Sequence, residues 1–141
     1  MNSGALEILE IDISDWCITQ SLVFDWYDGP KHGVCVLENL SMEVEYKCVA
    51  ERYNPDGCDH RIFSISEIER GSVARLSRIM GSDKENTNFA IDEMMSKSRR
   101  ARLFVYSFNF VTILRGWRID KCLDDPEMLL DRMGIGATGC E

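Results

Sequence analysis

Residues 42–48 read Met-Glu-Val-Glu-Tyr-Lys-Cys, so apolar and charged side chains alternate over seven positions. Successive side chains of a β-strand point to opposite faces, and this period of two predicts a strand with one face on the core. The residues expected to face the core are Met42, Val44, Tyr46 and Cys48, and those expected to face water are Glu43, Glu45 and Lys47. A half-buried sheet therefore organises this part of the chain.

Strand signals continue on both sides of this segment, separated by turn residues. Asp28-Gly29-Pro30 and the stretch Asn-Pro-Asp-Gly at residues 54–57 are typical of turns, because proline presets φ and glycine accepts positive φ. We predict four consecutive antiparallel strands, at residues 22–25, 33–38, 42–50 and 61–65. Together with a partly alternating strand at residues 6–13, they form a β-meander within residues 1–65.

The periodicity changes after residue 65. Ser66, followed by Glu67 and Glu69, is typical of a helix start, because serine caps the first turn and acidic side chains are favoured at the positive end of the helix dipole. Residues 103–114 are rich in β-branched and aromatic side chains, which favours a strand, although their length also suits a buried helix.

We therefore expect one α+β domain over residues 1–141, with a mostly antiparallel, four- to five-stranded sheet and two or three helices on one face. Residues 66–133 form its helical and mixed part. The glycine-rich residues 134–141 are predicted to be a flexible tail.

The net charge of −8 is concentrated in the first half of the chain. Residues 1–64 contain 12 acidic and 4 basic residues, whereas residues 65–141 contain 12 of each. An acidic half repels a phosphate backbone, so the expected partner is a protein with a basic surface and not a nucleic acid. The acid-free, basic stretch at residues 97–118 leaves this expectation unchanged, because its aromatic side chains are interpreted as core.

The sequence also limits the compartment and the chemistry. No stretch approaches the ~20 apolar residues that a membrane-spanning helix needs, and the N-terminus lacks the basic and apolar regions of a secretory signal. We expect a cytoplasmic protein with no membrane association, whose six cysteines are free thiols. Phosphate-binding glycine motifs and a nucleophile elbow are absent from the sequence, so no cofactor is expected and an enzyme is not favoured.

Residues 24–33 read FDWYDGPKHG and precede the apolar strand VCVL. This segment resembles the DWYDGP-type turn and β-meander of a loosely defined group of small uncharacterised bacterial proteins, and the resemblance covers residues 22–64. It implies a β-meander and no catalytic residues, since the group has no established activity. Physically, Asp25 and Asp28 are suited to hold the turn through backbone N–H groups, while Trp26 and Tyr27 place aromatic rings at the rim of the sheet.

Two functions of different classes follow. The first is a small acidic protein–protein interaction module, such as an inhibitor or an immunity-type antagonist of a basic partner. Its candidate binding residues are Asp25, Trp26, Tyr27, Asp28, Glu43, Glu45 and Glu51. The alternative is a small metal-dependent hydrolase at the end of the sheet that carries both histidines, since imidazole and thiolate are ligands of tetrahedral zinc. Its candidate ligands are His32, Cys35, Cys58 and His60. The lack of a catalytic motif favours the first function.

Overall fold

A computed structural model describes residues 7–53, 59–81, 84–97, 101–110, 112–121 and 123–135. These residues form a seven-stranded sheet and three helices. The strands are β1 (Ile8–Ile11), β2 (Ile18–Trp26), β3 (Pro30–Leu37), β4 (Met42–Arg52), β5 (His60–Glu67), β6 (Leu103–Ser107) and β7 (Ile113–Ile119). The helices are α1 (Ser72–Met80), α2 (Lys84–Lys97) and α3 (Glu127–Arg132). The predicted tail extends past residue 135, and its residues 136–141 lie outside the described residues.

The strand order across the sheet is β1-β7-β6-β5-β4-β3-β2, and every neighbouring pair is antiparallel. The predicted meander is confirmed for β2, β3, β4 and β5, which are neighbours in chain order. The strand predicted at residues 6–13 is present as β1 but does not belong to the meander, because it pairs with β7. The predicted sheet of four to five strands is wrong, since the sheet has seven.

The second half of the chain supplies β6, which lies within the strand favoured at residues 103–114, and β7, which the prediction missed. Residues 103–114, predicted as one strand or a buried helix, contain β6, a turn and the first two residues of β7. In β7 the apolar run is interrupted by Gly116, which pairs with Ile11 of β1. A Cβ on Gly116 would lie 2.8 Å from Cγ2 of Ile13, so side chains near β1 fill the space that a side chain here would occupy. The sequence of β7 therefore lacks the regular alternation of apolar and polar residues that predicts a strand.

The side chains on the inner face of the curled sheet pack against one another and form a core. Its most buried members, each at most 3% exposed, are Cys35, Leu37, Val44, Tyr46, Phe63, Ile65, Val105 and Phe110. Trp16 and Ile18 on one side and Ile113 of β7 on the other pack against this same cluster. The sheet therefore curls so that β2, at one edge, and β7, next to the other edge, pack on one core. The predicted core positions Val44 and Tyr46 are confirmed.

All three helices lie on the outer face of the sheet. Val34 is adjacent to the inward-facing Cys35, so it points outward, where it packs with residues of α1 and α2. Ile62 is likewise adjacent to Phe63, and it packs with Leu129 and Leu130 of α3. None of the helices in the described part of the chain has the length and the apolar content that crossing a membrane requires.

Two glutamates of β4 that were predicted to face water are bonded to other parts of the fold. Glu43 accepts hydrogen bonds from the N–H groups of Gly71 at 2.5 Å and of Val73 at 2.8 Å, so it caps α1. Glu45 is 6% exposed, and its Oε2 lies 2.5 Å from Nε2 of His32. The alternation in β4 is as predicted, but on the outer face the start of α1 binds Glu43 and His32 of β3 contacts Glu45.

The contact between Glu43 and α1 also bears on where the first helix begins. A helix was predicted to begin at Ser66, yet β5 continues to Glu67 and α1 begins at Ser72. The acceptor for its first turn comes from Glu43, a residue of a distant strand, and not from a local serine. Sequence-local capping rules therefore place this helix start wrongly.

We predict that Glu43→Ala lowers the free energy of unfolding by about 1–2 kcal/mol, because N–H groups at the start of α1 lose a charged acceptor. Urea unfolding measures this loss. Glu38→Ala is the matched control, since the Glu38 side chain is exposed, and it is expected to stay within about 0.5 kcal/mol of the wild type. Equal stabilities of the two variants would contradict the capping role of Glu43.

Candidate functional site

The connection between β2 and β3 is a tight turn at Tyr27-Asp28-Gly29. Trp26 pairs with Pro30 across the base of the turn, and the Tyr27 N–H donates to the Gly29 carbonyl at 2.9 Å. Asp28 has φ of 51° and Gly29 has φ of 120°. Aspartate tolerates the left-handed region, and the value at Gly29 is accessible in practice only to glycine. The local motif therefore specifies the turn.

Arg61, a fully buried residue of β5, holds this turn from beneath. Its guanidinium donates to the carbonyl of Asp28 at 3.0 Å and also to the carbonyl of Tyr27. Its Nε donates to Oε2 of Glu51 at 2.5 Å, and Oδ2 of Asp59 lies 3.6 Å from Nη2. A buried cation is costly unless it is paired and hydrogen-bonded, and here carbonyls and carboxylates supply both requirements.

Glu51 is a predicted binding residue whose carboxylate is engaged inside the fold. It bonds to Arg61 and to Nζ of Lys31, the latter at 3.0 Å. Burial raises the pKa of the Glu51 carboxyl, but the hydrogen bonds and charges of Arg61 and Lys31 outweigh burial and hold the pKa below its usual value of 4.5. Glu51 is therefore ionised at neutral pH and stabilises the support of the turn.

The anchored turn leaves aromatic rings in solvent. Trp26 is 66% exposed and Tyr27 is 69% exposed, and the exposed residues Asp25 and Asp28 flank them. Trp and Tyr are enriched at binding hot spots, because they offer a large contact area with few rotatable bonds. Since the carbonyls of Tyr27 and Asp28 are bonded to Arg61, these rings project from a fixed support.

The structure divides the seven predicted binding residues into two groups. One group is exposed together at the turn and consists of Asp25, Trp26, Tyr27 and Asp28. The carboxylates of the other group are bonded to other parts of the fold, and this group consists of Glu43, Glu45 and Glu51. The exposed part of the predicted surface is therefore the turn.

Two of the four predicted metal ligands lie on opposite faces of β3. His32 points outward, where it contacts Glu45 and packs edge-on against Phe24, with ring centroids 5.2 Å apart. Cys35, three residues later, is fully buried in the inner core. Burial raises the pKa of the Cys35 thiol to about 12, which keeps it protonated and disfavours both metal binding and nucleophilic attack.

Of the other two predicted ligands, the structure describes only His60. Nδ1 of His60 lies 2.7 Å from the hydroxyl of Tyr106, with the rings stacked. Cys58 lies outside the described residues. Within the ranges that the structure describes, no group of three or more His, Cys, Asp and Glu side chains is placed to hold a metal ion. Three cysteines in those ranges, Cys17, Cys35 and Cys48, are free thiols, as predicted.

Arg61 is the site residue that sequence reasoning missed, although a signal was present. In the predicted strand at residues 61–65, alternation places Arg61 on the same face as Phe63 and Ile65. An arginine on the core face of a strand requires buried acceptors, which identifies it as a structural anchor. The partner Glu51 was harder to predict, because a register shift between Cys48 and Ala50 brings it opposite Arg61.

No protein-family model, curated protein or solved structure matches the chain. The resemblance of residues 22–64 to a group with a DWYDGP-type turn therefore stays a prediction. A fold alone does not indicate an activity, so the exposure, charge and support of the turn are the observations that bear on function.

We predict that Arg61→Ala lowers the free energy of unfolding by about 3–5 kcal/mol, because it leaves Glu51 and two carbonyls without their buried donor. Urea unfolding tests this. Arg75→Ala is the control, since the Arg75 side chain is 48% exposed and lies 3.7 Å from Glu93. An exposed ion pair of this kind contributes about 0–1 kcal/mol. An Arg61→Ala protein as stable as the wild type contradicts the anchoring role.

The lowered pKa of Glu51 gives a prediction with a definite sign. The ionised carboxylate stabilises the fold at pH values above its unfolded-state pKa of 4.5, and this contribution is lost as the pH falls through the lower folded-state pKa. Urea midpoints between neutral pH and about pH 3 should therefore fall more steeply for the wild type than for Glu51→Gln. Lys31→Met, which removes one of the two donors, should give an intermediate slope. Parallel curves for wild type and Glu51→Gln would show that the pKa is not lowered.

Proposed function

We propose that the protein is a non-catalytic, protein-binding module whose main contact is the turn carrying Trp26 and Tyr27. The observation that carries this proposal is the combination of two rings about two-thirds exposed, at 66% and 69%, with a backbone bonded to a fully buried arginine. Burial of aromatic surface by a partner releases free energy of about 25 cal/mol per Å². The anchored backbone lowers the entropy that binding costs.

The charge near the turn favours a partner with a basic surface. Residues 7–30, which include both edge strands and the turn, contain six acidic and no basic residues. Asp25 and Asp28 are exposed beside the rings. Complementary charge accelerates association, and this effect weakens with salt because the Debye length is about 8 Å at 0.15 M ionic strength.

An inhibitor or an immunity-type antagonist is the kind of module that we infer. Such a protein acts by covering a site on its partner with a rigid projecting element, and the turn has that character. The partner's surface is then a basic rim around a pocket for an aromatic ring. We do not propose the metal-dependent hydrolase, because His32 and Cys35 lie on opposite faces of β3.

We predict that Trp26→Ala/Tyr27→Ala abolishes capture of the partner from a lysate of the source organism. Phe89→Ala is the matched control, because Phe89 is an aromatic residue of α2 that is 70% exposed. The wild type and the control should retain the same protein, the double variant should lose it, and rising salt should slow its association. Circular dichroism verifies that all three proteins are folded. A partner retained equally by all three proteins refutes the turn as the contact.

A further inference from the structure

The two edge strands of the sheet cannot pair with each other. Every step in the order β1-β7-β6-β5-β4-β3-β2 is antiparallel, so β1 and β2 run in the same direction. Parallel pairing of consecutive strands needs a crossover of about a dozen residues or more, whereas only residues 12–17 connect β1 to β2. The sheet therefore stays open between these two strands, and we name this opening the seam.

A groove of about 740 Å³ lies at the end of the seam where β1 ends and β2 begins. Its apolar walls come from both sides of the opening and include Ile11 of β1, Ile13 and Trp16 of the connection, Ile18 of β2 and Ile113 of β7. Residues from both edges line a single groove, so the separation of the edges is small enough for one extended segment to contact both. Neighbouring strands in a sheet lie about 4.8 Å apart.

The inner face is partly uncovered at the seam. Leu9 of β1 shares the face of Ile11 and is 44% exposed, and Val23 of β2 lies opposite the inward-facing Gly33 and is 37% exposed. In the middle of the sheet the inner-face residue Val44 is fully buried. Apolar side chains on both edges therefore remain in contact with solvent, in the place where a further strand would cover them.

The charge of the two edge strands indicates which kind of segment is complementary to the seam. The chain has no basic residue before Lys31, and Asp12, Asp15 and Asp25 are exposed along the edges and their connection. Arg115 also lines the groove, but its charge is paired with Glu10 at 2.5 Å, so the unpaired charge there is acidic. A second copy that paired through its own seam would bring like charges together, which is unfavourable. A basic segment of another protein is complementary to the same surface.

We infer that the seam accepts an extended, basic segment of the partner protein as an eighth strand, antiparallel to both β1 and β2. This inference rests on the proposed protein-binding function and states how the partner is held. Main-chain hydrogen bonds to the edges supply affinity, and alternate side chains of the segment enter the groove and supply selectivity. The segment therefore alternates apolar residues, directed into the groove, with lysine or arginine directed to water. The β2 residues that line the groove, Ile18 and Ser21, belong to the start of β2, and the turn follows the other end of the same strand at Trp26.

The test uses a displayed library of peptides of about ten residues, the upper range of strand lengths. The library is selected on the full chain and counter-selected on the Leu9→Lys/Val23→Lys variant. An enriched peptide is then synthesised, and its binding is measured by fluorescence anisotropy. Leu40→Lys is the matched control, because Leu40 is 45% exposed in the β3–β4 connection and the variant makes the same charge change as each seam variant.

Enriched peptides should alternate apolar with basic residues. Their affinity should fall at least about ten-fold in Leu9→Lys and in Val23→Lys, and stay within about two-fold in Leu40→Lys. Hydrogen exchange of the amides of β1 and β2 should slow in the complex, which distinguishes strand addition from attraction by charge alone. The inference is overturned by a selection without enrichment, by equal affinity for all variants, or by binding that leaves the exchange of both strands unchanged.

A negative result for the eighth strand is distinguishable from a negative result for the proposed contact at the turn. The seam variants leave Trp26 and Tyr27 in place, and the probe is a peptide, so a negative result removes the eighth strand and leaves the turn as a contact. If the turn variants capture the partner normally while the peptide still binds the seam, the contact at the turn is refuted and strand addition stands.

Discussion

The hydrogen bonds of the buried Arg61 guanidinium are the contacts on which the arrangement of the turn depends. A fully buried cation requires acceptors on all sides, and they come from β4, from the β2–β3 turn and from the residue before β5. This requirement fixes the conformation of the turn at Asp28 and Gly29, where a Cβ on the glycine would lie 3.0 Å from Nη1 of Arg61. The same contact that stabilises the sheet end therefore determines where Trp26 and Tyr27 project.

The sequence predicted those parts of the fold that depend on neighbouring residues in the chain. Alternation identified β4 and its inward-facing side chains, and turn residues separated the strands of the meander. The number of strands was predicted wrongly because β7 is defined by its neighbours: Gly116 carries no side chain where Ile11 and Ile13 occupy the space. The pairing of Glu51 with Arg61 depends on a register shift in β4, which no local pattern indicated.

The face of β4 on which the acidic residues lie was predicted correctly, but their surroundings on that face were predicted wrongly. Glu43 and Glu45 do point to the outer face of β4, but a charged residue on an outer face contacts water only where nothing covers that face. Here the segment after β5 binds the Glu43 carboxylate through its backbone N–H groups, and the ring of His32 from β3 contacts the Glu45 carboxylate. Part of the acidic excess of the first half is thus internal, and the exposed remainder lies at the turn and along the edge strands.

An open edge usually promotes aggregation, because it presents unpaired main-chain groups to other copies. The two edges of this sheet carry features that oppose such pairing: β1 has four residues, and β2 is irregular, with Gln20 at a positive φ of 48° and several register shifts. Their exposed aspartates repel a second, equally acidic copy. Each of these features weakens self-association, but the charge does not act against a basic strand from another protein. The same acidic residues that protect the edges therefore give them selectivity, since like charges are rejected and opposite charges are attracted.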